Sequence, residues 1–232
     1  MNDDIATRLD EVRQRIDAAC HRVGRDPDDI TLVGISKTHG AGEIAVAVAA
    51  GLRDVGENRV QEAAPKIAAL SELTPRPVWH MVGHLQSNKA RDAAGLFDIL
   101  HSVDSEHIAD ALSQNATRPL RVLIEVNVAG EASKFGVAPS TAMKLAAYVG
   151  RQPNIQLLGL MTVAPLTADP EEVRAVFRAL RELRDAIGLG ELSMGMTDDF
   201  EVAVEEGSTF VRVGRAIFGP RAARADAKKE PV

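Results

Sequence analysis

Ile30-Thr31-Leu32-Val33-Gly34-Ile35-Ser36-Lys37 is an apolar run of strand length that ends on a lysine, and the fold follows from what surrounds it. The run has little polar alternation, which suits a strand buried on both faces in a parallel sheet covered by helices. Placed at the C-terminal end of such a strand, Lys37 would face a pocket rather than bulk water. Burial disfavours the charged form and lowers the pKa, leaving an amine able to attack a carbonyl and form a Schiff base. A lysine that merely caps the strand and extends its ammonium into solvent gives the same pattern.

Upstream, Ile5, Leu9, Val12, Ile16, Ala19 and Val23 recur at three- and four-residue spacing, with Gly24 as a C′ residue, which predicts an amphipathic helix. Downstream, further strand-like runs fall near 53–55, 78–82, 98–102, 121–127, 156–161, 191–194 and 210–213, separated by helical patterns. The clearest helix is Pro170 to Ile187, with Asp169 as N-cap, Glu171 and Glu172 in the first turn and Gly188 beyond its end. Val173, Val176, Phe177, Leu180, Leu183 and Ile187 form its expected buried face. Between Glu57 and Leu70, Pro65 removes a backbone donor and is expected to bend or delay a helix. Strands alternating with helices over this length predict an α/β fold, a (β/α)₈ TIM barrel with an extra N-terminal helix; an open doubly wound sheet is the alternative. Residues 1–220 read as one domain. The tail from Arg221 to Val232 is charged, has no apolar face and is expected to be disordered.

Of the 232 residues 45% are hydrophobic and 26% charged, as in an ordinary globular protein. One cysteine, Cys20, excludes an intrachain disulfide framework and a thiolate zinc site, and suits a reducing cytoplasm. The acidic start Met1-Asn2-Asp3-Asp4 lacks the basic region of a signal peptide, and no apolar run has membrane-spanning length. A net charge of −6 argues against nucleic acid as the main partner.

Two glycine-bearing turns follow the last two strands, at Leu192-Ser193-Met194-Gly195-Met196-Thr197 and at Val211-Arg212-Val213-Gly214-Arg215-Ala216. In a barrel these loops commonly bind phosphate through exposed backbone N–H groups, to which Ser193, Thr197 and Arg215 could add donors; as ordinary βα turns they would bind nothing. Asp198 and Asp199 would repel a phosphate unless their side chains turn away. Neither turn is a P-loop or dinucleotide fingerprint. Arg212 is placed to point into the barrel mouth, either as a donor to a ring nitrogen or as a partnered structural arginine. His80 and His84 lack the further ligands of a metal site, so a structural or cofactor contact is expected and metal is not.

These residues sit in a recognisable set of motifs: Val33-Gly34-Ile35-Ser36-Lys37-Thr38, Gly56-Glu57-Asn58-Arg59-Val60-Gln61-Glu62, Trp79 through Lys89, Glu125-Val126-Asn127 through Ser133-Lys134-Phe135-Gly136, Gly159-Leu160-Met161 and Leu192 to Gly219. The chain closely resembles the pyridoxal phosphate homeostasis (YggS/PROSC) family. That resemblance implies a fold-type III barrel similar to the N-terminal domain of alanine racemase, with pyridoxal 5′-phosphate (PLP) as an internal aldimine on Lys37. It also implies Arg212 beside the pyridine nitrogen. Ser193, Gly195, Thr197, Gly214 and Arg215 would lie around the phosphate, and Asn58, His80 and Met161 would border the cofactor. His39-Gly40 departs from the family pattern, in which many members carry a basic or polar residue followed by proline, and so marks the rim of the pocket as different.

Racemases of this type add a second β-domain and a tyrosine opposite the lysine, whereas the one tyrosine here, Tyr148, falls in a helical stretch. The expectation is therefore a cytoplasmic PLP-binding protein that holds the cofactor and passes it on, with no catalytic residue assigned and little or no turnover. PLP-dependent apoenzymes are its possible partners, and a monomer is favoured over an oligomer. The alternatives are a PLP-dependent amino-acid racemase and a cofactor-free Schiff-base aldolase.

Overall fold

The structure is a computed structural model, and it describes residues 2–167 and 169–220. The tail expected to be disordered, 221–232, lies outside the described residues. Eight strands form a closed parallel barrel in chain order: β1 (Thr31–Ile35), β2 (Asp54–Glu57), β3 (Val78–Met81), β4 (Ile99–Val103), β5 (Leu120–Glu125), β6 (Ile155–Met161), β7 (Glu191–Ser193) and β8 (Phe210–Val213). β1 pairs with both β2 and β8, Val33 standing opposite Asp54 on one side and Arg212 on the other. That pairing closes the ring and rules out the open sheet.

The α-helices of the described part are α1 (Asn2–Val23), α2 (Ala41–Ala49), α3 (Val60–Ala69), α4 (Ala90–Leu96), α5 (Glu106–Asn115), α6 (Pro139–Val149), α7 (Pro170–Ile187), α8 (Phe200–Glu205) and α9 (Arg215–Phe218). The helix-facing side chains of the strands meet the apolar helix faces in one continuous core. α7 follows its sequence signals closely: Asp169 Oδ1 accepts from Glu171 N at 2.9 Å, and Gly188 adopts the left-handed conformation. Val173, Phe177 and Leu180 are fully buried, and Val176, Leu183 and Ile187 pack partly buried beside them. Each such large apolar side chain contributes about 1.5–3 kcal/mol when removed from water. α3 is not delayed by Pro65; it starts at Val60 and runs through the proline.

α1 packs against α2, α8 and α9, across the junction where β8 meets β1. Arg15 pairs with Glu201 at 2.8 Å and lies over the Phe200 ring, while Arg22 pairs with Glu205 at 2.7 Å. Val23, expected on the buried face, is 43% exposed, because the helix ends there and Gly24 turns the chain away with a φ of 68°. Among the described residues no helix is long and apolar enough to cross a membrane.

Inside the barrel, Val33, Ile35, Ile99, Leu123, Met161 and Phe210 form a small apolar cluster. Bulky apolar residues usually fill such an interior. Here it also holds the buried polar side chains of His80, His101, Ser193 and Arg212.

Candidate functional site

Side chains alternate along a strand, and Val33 and Ile35 form the inward row of β1; Lys37 lies two residues on, in the turn that follows the strand. Lys37 is half-buried at the C-terminal mouth. The peptide before it is fixed by a buried ionic group: Lys66 Nζ donates to Glu57 Oε1 at 2.6 Å and to Ser36 O at 2.9 Å, and Ser36 Oγ donates to the same carboxylate oxygen. Thr38, just beyond Lys37, has a φ of 69°, a conformation that a β-branched residue adopts only under constraint.

Arg212 projects inward from β8, the neighbouring strand, and is 5% exposed. Its Nη1 donates to Ser193 Oγ at 2.6 Å and its Nη2 to Thr162 O at 2.8 Å. Burial lowers its pKa to about 10, with Asp199 and Glu125 opposing the shift. The guanidinium therefore remains a cation and a pure donor at neutral pH.

The two glycine turns lie side by side. Arg212 N donates to Gly195 O at 2.9 Å, and Arg215 Nη2 pairs with both oxygens of Asp198 at 2.7 and 2.8 Å. Asp199 turns back to accept from Met196 N. Both carboxylates thus have partners of their own. Gly195 has a φ of 92°, and a Cβ there would stand 2.5 Å from Ala203 Cβ. Thr197 and Gly214 are half-buried in these loops, and Arg215 is exposed.

The remaining expected residues divide between the mouth and the interior. Asn58 is half-buried directly after β2, held so close to Gly83 that a Cβ on Gly83 would lie 2.3 Å from Asn58 O. Met161 is buried at the end of β6. His80 is fully buried, with Nδ1 2.9 Å from His101 Nε2 and Nε2 2.9 Å from Asp54 Oδ1. His84 points elsewhere, stacking on exposed Phe135 with ring centres 3.8 Å apart, so the two histidines do not converge. Ser193 spends its hydroxyl on Arg212 and His101 inside the barrel. At the rim, His39 Nδ1 lies 2.8 Å from Glu43 Oε1, and Gly40 N donates to Glu43 Oε2 at 2.8 Å. A proline at position 40 has no N–H for that bond, so the unusual pair His39-Gly40 serves as the cap of α2.

Two residues with no expected role belong to this region. His101 links Ser193 to His80, and burial, then the neighbouring His80 and Arg212, holds its pKa well below the ordinary value. Glu125, last in β5, is pushed up to about 7 by burial and by Asp104, with Arg212 opposing. Its Oε2 has no hydrogen-bond partner. Both are polar positions inside otherwise apolar runs, a signal the sequence does carry. The mouth therefore combines an amine, a donor-only cation, two adjoining backbone loops and a carboxyl group that titrates near neutrality.

The sequence matches the family described as "Alanine racemase, N-terminal domain" over residues 7–222. It is 44% identical to the pyridoxal phosphate homeostasis protein of Aquifex aeolicus over 223 residues, covering 92% of this chain and 97% of the relative. The protein of the same name from Pseudomonas aeruginosa is 46% identical, covering 94% and 96%. Among solved structures, PipY of Synechococcus elongatus with PLP bound superposes with a TM-score of 0.81 at 37% identity, covering 93% of this chain and 100% of PipY. Alanine racemase from Corynebacterium glutamicum, at 18% identity and a TM-score of 0.69, shares the fold over 96% of this chain and 62% of its own length. By family match, by identity along nearly its whole length and by barrel geometry, the chain belongs to the pyridoxal phosphate homeostasis protein family.

Proposed function

We propose that this protein binds PLP in the barrel mouth, where the Lys37 amine would hold the cofactor's aldehyde carbon in place of its oxygen, released as water, and that it serves cytoplasmic PLP homeostasis. The observation that supports the reading is the position of Lys37 two residues past the inward row Val33–Ile35, directly after the strand paired to the one that bears Arg212. The residues present fit the group. Arg212 can donate to an unprotonated ring nitrogen, and the loops around Gly195, Thr197, Gly214 and Arg215 offer backbone and side-chain donors for a phosphate. Ser193 acts from beneath by fixing Arg212, Asn58 and Met161 border the ring, and His80 supports from the interior. Bound PLP supplies a reactive aldehyde and an electron sink. Arg212, which can only donate, would leave a ring nitrogen unprotonated and that sink weaker, which suits holding and delivering the cofactor to apoenzymes rather than turning over amino acids.

Tyr148 supports the same conclusion. Its hydroxyl donates to Asp110 at 2.8 Å between α6 and α5, outside the barrel. The one observation favouring a racemase is Glu125, a mouth carboxyl with a pKa near 7 that could carry a proton. The test is borohydride reduction of the PLP-loaded protein followed by peptide mapping. The pyridoxyl adduct is expected on the Lys37 peptide and absent from Lys37→Ala, and an adduct found only on another lysine would refute the proposal. Amino-acid racemisation in the range of about 1–1000 per second, lost in both Lys37→Ala and Glu125→Gln, would replace the carrier reading with an enzyme.

A further inference from the structure

A continuous line of polar side chains crosses the barrel from the mouth to the opposite end. Arg212 Nη1 lies 2.6 Å from Ser193 Oγ, Ser193 Oγ 2.8 Å from His101 Nδ1, His101 Nε2 2.9 Å from His80 Nδ1, and His80 Nε2 2.9 Å from Asp54 Oδ1. The first four residues are buried, whereas the Asp54 side chain is 19% exposed. Asp54 opens β2 and borders a cavity of about 450 Å³ at the N-terminal end of the barrel, lined also by Arg13, Asp17 and Arg53.

The proton positions follow from the donor inventory. A guanidinium only donates, so Ser193 Oγ accepts from Arg212 and its own proton goes to His101 Nδ1. With Nδ1 accepting, His101 carries its proton on Nε2 and donates to His80 Nδ1. His80 then carries its proton on Nε2 and donates to Asp54. Every donor points away from Arg212, and the line runs from a cation to an anion through two neutral imidazoles. A doubly protonated His80 would reverse the two upper bonds and deprive the buried Ser193 hydroxyl proton of its acceptor. The lowered pKa of His101 agrees with a neutral ring at that position.

We propose that His101, His80 and Asp54 are positioning residues for Arg212, a one-way hydrogen-bonded string that keeps Ser193 Oγ an acceptor and so fixes which guanidinium N–H groups face the mouth. The orientation of the arginine at one end of the barrel is thereby set by a carboxylate at the other. The consequence for bound PLP rests on the placement of Arg212 proposed above; the string itself does not.

Two measurements test this. In the cofactor-free protein, long-range ¹H–¹⁵N correlation spectra should show two histidines as neutral Nε2–H tautomers at pH 7, both disturbed in Asp54→Leu and retained in Asp54→Asn, whose amide oxygen still accepts. A wild-type His101 or His80 found protonated on Nδ1 would overturn the string. In the PLP-loaded protein, the pH midpoint of the visible cofactor band should move by about 0.5 unit or more in Asp54→Leu and return in Asp54→Asn. Asp199 and Glu125, the carboxylates that face Arg212, are unchanged in both variants. A midpoint that stays fixed in Asp54→Leu but moves in Arg212→Gln would refute the positioning role. A midpoint fixed in all three variants would refute instead the placement of Arg212 at the ring, and the tautomer spectra would still decide the string.

Discussion

Replacing Glu125 with glutamine should make the protein more stable at pH 8 but not at pH 4. The side chain is 9% exposed, its Oε2 lacks a partner, and burial with the nearby Asp104 raises its pKa from 4.5 to about 7. Below pH 4.5 the carboxyl is protonated in both the folded and unfolded chains and contributes no pH dependence. Between 4.5 and 7 the unfolded chain ionises while the folded one keeps its proton, so stability falls as pH rises. Above 7 the whole difference is lost: about 2.5 pH units at about 1.36 kcal/mol each gives a destabilisation of about 3 kcal/mol. Glutamine has nearly the shape of a protonated glutamate and cannot ionise. The stability difference between Glu125→Gln and wild type should therefore grow by about 3 kcal/mol from pH 4 to pH 8. Urea unfolding of the cofactor-free proteins, followed through the fluorescence of the one tryptophan, the buried Trp79, measures it directly. A stability difference that does not change with pH would show that Glu125 is not held protonated in the folded state.

Lys66→Met should destabilise the fold by about 3–5 kcal/mol, because it strips the cation from the fully buried Glu57 carboxylate. An unchanged guanidinium midpoint would contradict that pairing. Gly159→Ala would place a Cβ 1.9 Å from Glu191 O on the adjoining strand, and overpacking of this kind destabilises by about 1–3 kcal/mol or more. A melting temperature equal to wild type would mean that β6 and β7 can move apart freely.

The strands were legible because each buried run ends in a turn or polar residue, and α7 because Asp169, Pro170 and Gly188 mark both of its ends. Pro65 misled for a physical reason. A proline removes one intrahelical bond, here to the Gln61 carbonyl, but α3 retains its buried contacts through Val60 and Ala63 and continues. Lys37 stands out in the sequence as the polar residue that follows a buried run. His101 was harder, because the register between β4 and β5 shifts between Leu100 and Val103, so parity along the strand alone does not say which side chains turn inward. Glu125 was visible as a polar residue, but its orphaned oxygen and the nearness of Asp104 arise only when β5 and the segment after β4 are brought together. Nor does sequence reveal that Ser193 turns toward His101, since that contact spans residues 92 positions apart.

The seam where α1 and β1 meet α8, β8 and α9 also governs when the protein can fold. α1 can rest early on α2, but its contacts with α8 and α9 must wait until the chain has been synthesised as far as Phe218. At about 5–20 residues per second, roughly 10–40 s separate the emergence of α1 from that of α9. Throughout that interval α1 lacks its α8 and α9 neighbours, and the ring can close only once β8 has emerged to pair with β1.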